Sequence, residues 1–127
     1  MANTTHLTLE ALTEGLRFRA RSGKGFETVL DSGPGMVASD PIDTMIAALG
    51  ACHAMDVISI LRKKRQDVTG YEVRVSAERR TEHPRSITAV DMVHRVRGRG
   101  VNPAAVEEAV RLSEEKYCSV HHSMRAD

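Results

Sequence analysis

Two cysteines, Cys52 and Cys118, are the side chains of this 127-residue chain best suited to chemistry. Cys52 lies in the apolar segment AALGACHAMDVISILRKKRQ, with His53 directly after it and Asp56 four positions later. Neighbouring residues of a helix point about 100° apart, so Asp56 lies nearer the face of Cys52 than His53 does. We therefore interpret His53 as a core or interface histidine. A buried cysteine often acts only as a small apolar side chain, so chemistry at Cys52 requires a partner.

Cys118 lies at the predicted break between two helical segments, where the amides of a following helix would stabilise a thiolate. A cysteine that only fills a helix junction is the alternative. His121 and His122 follow closely and suggest a metal site with Cys118, although such a set lacks a carboxylate. Neither cysteine belongs to a C-x-x-C pair, so a structural zinc site is not expected. The residues alone leave packing, redox chemistry and metal binding open.

A long helix must position Cys52. Asp40 is a suitable N-cap, Pro41 suits the first helical position and Asp43 complements the helix dipole, and the helical pattern continues to about Arg65. From residue 42 to residue 61 this helix is apolar or small on nearly every side, which predicts burial all round. A 127-residue monomer does not easily provide that cover, so a partner subunit is expected to supply part of it.

Strands are predicted on both sides of this helix. In GLRFRAR, apolar residues alternate with arginines, which predicts a strand with one buried face, followed by a turn at SGKG. The segment SGPGMVASD is expected to be an irregular connection. YEVRVSAERRTE and SITAVDMVHRVRGRG are expected to pair as antiparallel strands with a turn near EHPRS. VNPAAVEEAVRLSEEKY predicts a second helix capped by Asn102, and Ser119 is expected to cap a short further helix.

The composition narrows the classes of function. Eighteen Lys and Arg against seventeen Asp and Glu give a net charge of +1, and aromatic residues make up 3%, so nucleic-acid binding is not expected. The start MANTTHLTLE lacks the pattern of a signal peptide, which favours a cytoplasmic protein. Polar residues within the apolar window 41–61 argue against a membrane span. We expect residues 1–127 to form a single domain.

Three segments, DPIDTMIAALGACHAMDVISILRKKRQDV, ERRTEHPRSIT and LSEEKYCSV, together resemble the OsmC/Ohr superfamily, in particular its OsmC-like branch. This superfamily comprises osmotically inducible protein C and the organic hydroperoxide resistance proteins. The resemblance covers the chain from about Gly33 to Val120. It implies an α+β fold and an intertwined homodimer, in which antiparallel sheets wrap two long central helices.

The resemblance also implies a thiol-dependent peroxidase that reduces organic hydroperoxides in the defence against oxidative stress. In that chemistry Cys52 is the peroxidatic thiol and Cys118 is the resolving thiol. Attack on the peroxide leaves a sulfenic acid, which condenses with the second thiol to a disulfide that a dithiol reductant reopens. No cofactor and no metal are required.

One part of the family pattern differs in this chain. Peroxidases of the family hold the reactive thiolate with an arginine, which is fixed by a glutamate just after the proline of the first motif. Here Ile42 follows Pro41, Asp43 comes one position later, and SGPGMVASD contains no arginine. The candidate supporting residues are therefore Asp43, Arg17, Arg19, Arg21 and Arg85. The alternative function is a redox-inert OsmC-like dimer that binds a small hydrophobic ligand.

Overall fold

The computed structural model of the chain describes residues 2–10 and 14–124. Its elements in chain order are β1 (Thr5–Leu9), β2 (Phe18–Ser22), β3 (Glu27–Leu30), α1 (Pro41–Lys63), β4 (Asp67–Arg79), β5 (Ile87–Arg99), α2 (Pro103–Leu112), a π-helical turn (Ser113–Tyr117) and α3 (Ser119–Ser123). The strand pairs among these residues are antiparallel, which confirms the predicted α+β class. The chain forms two compact units, Met1–Met45 and Ile46–Asp127.

The first unit contains a three-stranded sheet in the order β1-β2-β3. Gly25 adopts a φ of 89° in the turn predicted at SGKG, and its N–H donates to the Ser22 carbonyl. The alternation in GLRFRAR correctly predicted a strand. The expectation of a buried face is wrong for the single chain, because Leu16 is 59% exposed and Phe18 is 37% exposed. Within this unit no second layer covers the described residues of the sheet.

The connection after β3 is irregular, as predicted, and polar contacts fix both of its ends. The buried Asp31 accepts a hydrogen bond from the Val37 N–H at 3.0 Å. Asp40 Oδ1 accepts from the Asp43 N–H at 2.8 Å, which confirms the predicted N-cap of α1. The helix ends at Lys63, slightly before the predicted Arg65, where the chain turns into the left-handed region with a φ of 57°.

The second unit pairs β4 with β5 in a long hairpin. Opposite one another lie Tyr71 and Val96, Val73 and His94, and Val75 and Met92, which confirms the predicted pairing. Helix α1 approaches β4 closely at Gly50, because a Cβ on this glycine would lie 2.8 Å from a methyl carbon of Val75. A side chain at this position would therefore push α1 away from the sheet.

The core of the second unit joins α1 to α2 through Val57, Leu61, Ala105 and Ala109. The buried residues of α1 all lie on one side of the helix, whereas Met55 on the other side is 68% exposed. The expectation of burial all round is therefore wrong for the single chain. By length and composition alone α1 meets the criteria for a membrane span, as the core helix of a soluble protein also does.

Helix α2 begins as the sequence predicts, with Asn102 Oδ1 accepting from the Ala104 N–H at 2.9 Å. It ends earlier than predicted, since the chain widens into a π-helical turn from residue 113 to residue 117. The next helix, α3, is capped by Cys118 and not by the predicted Ser119. Cys118 has extended backbone angles, and its sulfur accepts the His121 N–H at 3.3 Å.

Candidate active site

The structure brings the two cysteines together. Cys52 lies in the middle of α1 and Cys118 between the π-helical turn and α3, and both thiols are free. The two sulfurs and a carboxylate oxygen of Asp56 all lie within 4.8 Å of one another. A disulfide has an S–S bond of about 2.05 Å, so the two free sulfurs would have to move closer together to form one.

The two thiols differ in access to solvent. Cys118 is 0% exposed, whereas Cys52 is half-buried. Burial and the neighbouring Cys52 raise the pKa of Cys118 to about 11, against a smaller opposing effect of the His121 amide. Cys118 is therefore a neutral thiol at pH 7. A reagent from solvent meets Cys52 first.

The π-helical turn determines the position of Cys118. The Cys118 N–H donates to the Ser113 carbonyl at 2.9 Å. These residues are five positions apart in sequence, the separation that defines a π-helical turn. Turns of this kind are rare insertions that often occur at functional sites. The turn directs the Cys118 sulfur inward, towards Cys52 and Asp56.

Behind the two sulfurs, four side chains form a continuous hydrogen-bonded chain, which we call the polar chain: Asp56, Ser113, His53 and His121. Ser113 Oγ donates to Asp56 Oδ2 at 2.9 Å and lies 3.0 Å from His53 Nδ1. His53 Nε2 lies 3.1 Å from His121 Nδ1. Because the serine hydrogen goes to Asp56, His53 Nδ1 is the donor to Ser113 Oγ.

The polar chain is deeply buried in its middle. His53 is 1% exposed and Ser113 is 0% exposed. Burial lowers the pKa of His53, and the neighbouring His121 lowers it further, so His53 is a neutral imidazole at pH 7. The sequence interpretation of His53 as a core histidine is confirmed, but its bonds to Ser113 and His121 were not predicted.

The polar chain ends at a cleft of about 360 Å³ within the second unit. Its lining combines aliphatic side chains with two imidazoles and a carboxylate: Leu49, Val90, Met92, His53, His121 and Glu114. His53 and His121 therefore belong both to the cleft and to the polar chain that leads to the sulfurs.

Three of the supporting arginines suggested by the sequence, Arg17, Arg19 and Arg85, have partners of their own. Arg19 pairs with Glu10 at 2.8 Å, and Arg17 lies 3.9 Å from the same carboxylate. Arg85 lies in the turn between β4 and β5, where its Nε donates to the Arg80 carbonyl at 3.4 Å. Asp43 lies exposed in the first turn of α1. Within the second unit, no hydrogen bond among the described residues joins Arg85 to either sulfur.

A metal site is the other chemistry that clustered thiols suggest. The structure groups Cys118 with Cys52 and Asp56 and not with His121 and His122. A structural zinc site takes four protein ligands, whereas this group has three members among residues 2–10 and 14–124. His121 Nδ1 is already hydrogen-bonded to His53. Among the described residues, Cys118, His121 and His122 therefore do not form the ligand group that the sequence suggested.

The fold and the site together define a class of α+β proteins that carry a dithiol between a central helix and a helix junction. Comparison with known protein families identifies this class. The pattern of the family described as OsmC-like protein matches residues 33–127, and the chain belongs to this family. The resemblance noted in the sequence is thus confirmed.

Individual relatives agree with this assignment. Protein YhfA of Escherichia coli K12 is 46% identical over 107 residues, covering 84% of this chain and 80% of its own. A hypothetical protein of Aquifex aeolicus has a similar structure, with a TM-score of 0.84, 28% identity and coverage of 97% and 86% of the two chains. An organic hydroperoxide resistance protein, OsmC, of Legionella pneumophila shares the fold at a TM-score of 0.64, with 13% identity and coverage of 99% and 90%. Membership of this family indicates a redox-related role.

Proposed function

We propose that the protein is a cysteine-based peroxidase that reduces organic hydroperoxides. The observation that carries the proposal is the approach of two free thiols and the Asp56 carboxylate within 4.8 Å, with Cys52 half-buried and Cys118 fully buried. The family supports a redox role, and the Legionella relative of the same fold is named for organic hydroperoxide resistance.

The reaction proceeds in two balanced steps. The Cys52 thiolate attacks one peroxide oxygen, the O–O bond breaks, and the alkoxide takes a proton and leaves as an alcohol. Cys52 is then a sulfenic acid. Cys118 loses its proton as it attacks the Cys52 sulfur, the S–O bond breaks, and the hydroxide that leaves takes up a proton from solution and becomes water. Two thiols are oxidised, one peroxide is reduced, and a dithiol reductant from solution restores the pair.

The roles of the two cysteines follow from their access. Cys52 is the peroxidatic thiol because a solvent-borne peroxide reaches it, and Cys118 is the resolving thiol because it is shielded. Supporting roles for Asp43, Arg17, Arg19 and Arg85 stay predictions. Single alanine variants test them, and a slower reaction with peroxide at an unchanged rate of disulfide closure identifies the group that activates Cys52.

We further propose that the protein acts as a homodimer in the cytoplasm. The exposed side of α1 is apolar, with small residues around Met55, and contiguous apolar surface of this kind favours a second subunit. In that arrangement the partner covers the side of α1 that borders Cys52. It thereby supplies the apolar surroundings suited to an organic substrate.

A second candidate function is a redox-inert protein that binds a small hydrophobic ligand. The cleft of about 360 Å³ favours it, because aliphatic side chains form much of its lining. In this case both thiols stay reduced in excess peroxide, and a ligand occupies the cleft without any change at Cys52.

The experiment that separates the two treats the fully reduced protein with cumene hydroperoxide and counts free thiols over time. The peroxidase loses both thiols together, with a matching amount of alcohol formed. Cys52→Ser consumes no peroxide, and Cys118→Ser stops at a sulfenic acid that a dimedone probe labels. Ser119→Cys in the Cys118→Ser background is a matched control, because it offers a thiol one residue away on the exposed side of the chain. Retention of both thiols in the native protein would favour the ligand-binding function.

A further inference from the structure

We propose that the polar chain of Asp56, Ser113, His53 and His121 is a proton relay that connects the two sulfurs to the cleft and sets the rate at which the Cys52–Cys118 disulfide closes. The proposal rests on the dithiol role proposed above. The transfer of electrons between peroxide and thiols does not itself require these four side chains. The relay gives them a function in proton transfer.

The relay is continuous in the structure. Its three links measure 2.9, 3.0 and 3.1 Å from Asp56 to Ser113, from Ser113 to His53 and from His53 to His121. At the inner end, the Asp56 carboxylate lies within 4.8 Å of both sulfurs. At the outer end, His121 lines the cleft. No link requires a side chain to move, so protons can pass along the chain by short transfers.

Each member of the relay can both take up and release a proton. A hydroxyl donates one hydrogen while accepting another, and a neutral imidazole donates from one nitrogen and accepts at the other. With Asp56 ionised, all three links point inward, since Ser113 donates to Asp56, His53 to Ser113 and His121 to His53. When Asp56 gains a proton, rotation of the Ser113 hydroxyl and a change of tautomer at both imidazoles reverse this order with the heavy atoms in place. Each member can then pass a proton outward, and His121 releases one into the cleft.

The relay gives the proton of the Cys118 thiol a route out of the buried site. This thiol is fully buried, and burial raises its pKa to about 11, so it must lose its proton as it attacks. Asp56 is the acceptor beside it, reached directly as the side chains close or through one water. The His121 N–H also donates to the Cys118 sulfur at 3.3 Å, so the outer member of the relay holds the sulfur through its backbone.

Closure can be measured without peroxide, with dithiobis(nitrobenzoic acid) as the oxidant. Cys52 attacks the reagent disulfide and forms a mixed disulfide, releasing one nitrothiobenzoate. Cys118 then attacks the Cys52 sulfur, a second nitrothiobenzoate leaves as the thiolate, and the Cys118 proton departs through the relay. The rate of the second release reports closure alone. Cys118→Ser releases a single equivalent and gives the baseline.

Two variants remove links from the relay while keeping the backbone bonds around Cys118. Ser113→Ala deletes the hydroxyl and keeps the carbonyl that holds the Cys118 N–H. His121→Ala deletes the ring and keeps the amide that donates to the Cys118 sulfur. We expect each to slow closure by about tenfold or more. Ser119→Ala and His122→Ala are matched controls at neighbouring exposed positions, and they should close at the native rate.

Rescue by a small base separates proton transfer from a merely structural effect. Free imidazole can fill the space that His121→Ala opens beside the cleft and should restore closure to within about twofold of the native rate, since it both accepts and donates. N-methylimidazole has nearly the same shape but lacks the second transferable proton, so it should not restore the rate.

Native closure rates in both Ser113→Ala and His121→Ala would overturn the relay, as would equal rescue by imidazole and N-methylimidazole. A protein that closes through the relay but consumes no organic hydroperoxide would contradict the proposed peroxidase and leave the relay intact. The two proposals therefore fail in distinguishable ways.

Discussion

The two sides of helix α1 within the second unit differ in what they contact. One side packs Leu49, Val57 and Leu61 into the core together with the buried His53. The other side carries alanines and Met55, which is 68% exposed. Cys52 and Asp56 lie at intermediate exposure, on the border between the two sides. Cys52 thus lies where the packed core meets a surface that a partner can cover.

This difference explains why the helix sequence is apolar almost all round. The core side is apolar because it is buried within the chain, and a fully apolar second side is typical of a contact between subunits. The polar residues that do occur on the core side, such as His53, are all paired with other side chains. Buried polar groups without partners are strongly destabilising.

The largest effect is expected on the core side. Leu61→Ala removes a side chain that is 0% exposed and leaves a cavity, so the free energy of unfolding should fall by about 3 kcal/mol. Urea denaturation followed by circular dichroism measures it. Ser59→Ala on the exposed side serves as the control and should change stability by less than about 0.5 kcal/mol. A small effect of Leu61→Ala would mean that α1 does not pack against α2 as described.

On the other side of the helix, Met55→Lys should weaken the proposed homodimer by roughly a hundredfold, because it buries an unpaired charge at an apolar contact. Light scattering during size-exclusion chromatography should show the mass fall to that of one 14.0 kDa chain. Met55→Leu, which keeps an apolar side chain, should stay dimeric. A Met55→Lys protein that remains a dimer would show that this side of α1 is not the interface.

Ser113→Ala should have an intermediate effect on stability. It leaves the buried His53 Nδ1 and one Asp56 oxygen without their partner, which should cost about 2 kcal/mol of unfolding free energy. Thermal and urea unfolding of this variant beside Ser119→Ala provide the measurement. If the two variants were equally stable, water would have to replace the lost hydroxyl.

The smallest effect concerns pH. Burial holds the pKa of His53 below its ordinary value of 6.5, so the unfolded chain binds a proton more readily than the folded chain. The stability due to neutral His53 is therefore present above pH 6.5 and lost as the pH falls through the lowered pKa. His53→Gln should reduce the difference between urea midpoints at pH 8 and pH 5, with the remainder due to groups such as His94, whose pKa burial also lowers. An unchanged pH dependence would contradict a buried neutral His53.

Much of this fold could be predicted because its signals are local. The N-cap at Asp40, the cap at Asn102 and the alternation in β4 and β5 each depend on residues close together in sequence, and the structure confirms them. The cysteine pair was identified from family motifs, since no local pattern shows that residues 52 and 118 meet.

The polar chain could not be predicted, because its links join residues far apart in the chain. Ser113 and His53 are separated by 60 residues, and His53 and His121 by 68. The sequence did indicate that Asp56 lies near the face of Cys52, but it did not identify Ser113 as the hydrogen-bond partner of Asp56. The π-helical turn was missed for a related reason. The segment SEEKY contains no glycine or proline that would mark the change from α-helix to π-helical turn. The change coincides instead with tertiary contacts of Ser113 and Cys118, which are both buried.

Mass spectrometry under non-reducing conditions tests whether Cys52 and Cys118 form the proposed redox pair driven by organic hydroperoxides. After the reduced protein is treated with cumene hydroperoxide, we expect a loss of two hydrogens per chain and a cross-linked peptide that joins Cys52 to Cys118 within one chain. Two unmodified thiols after exposure to excess peroxide would contradict it.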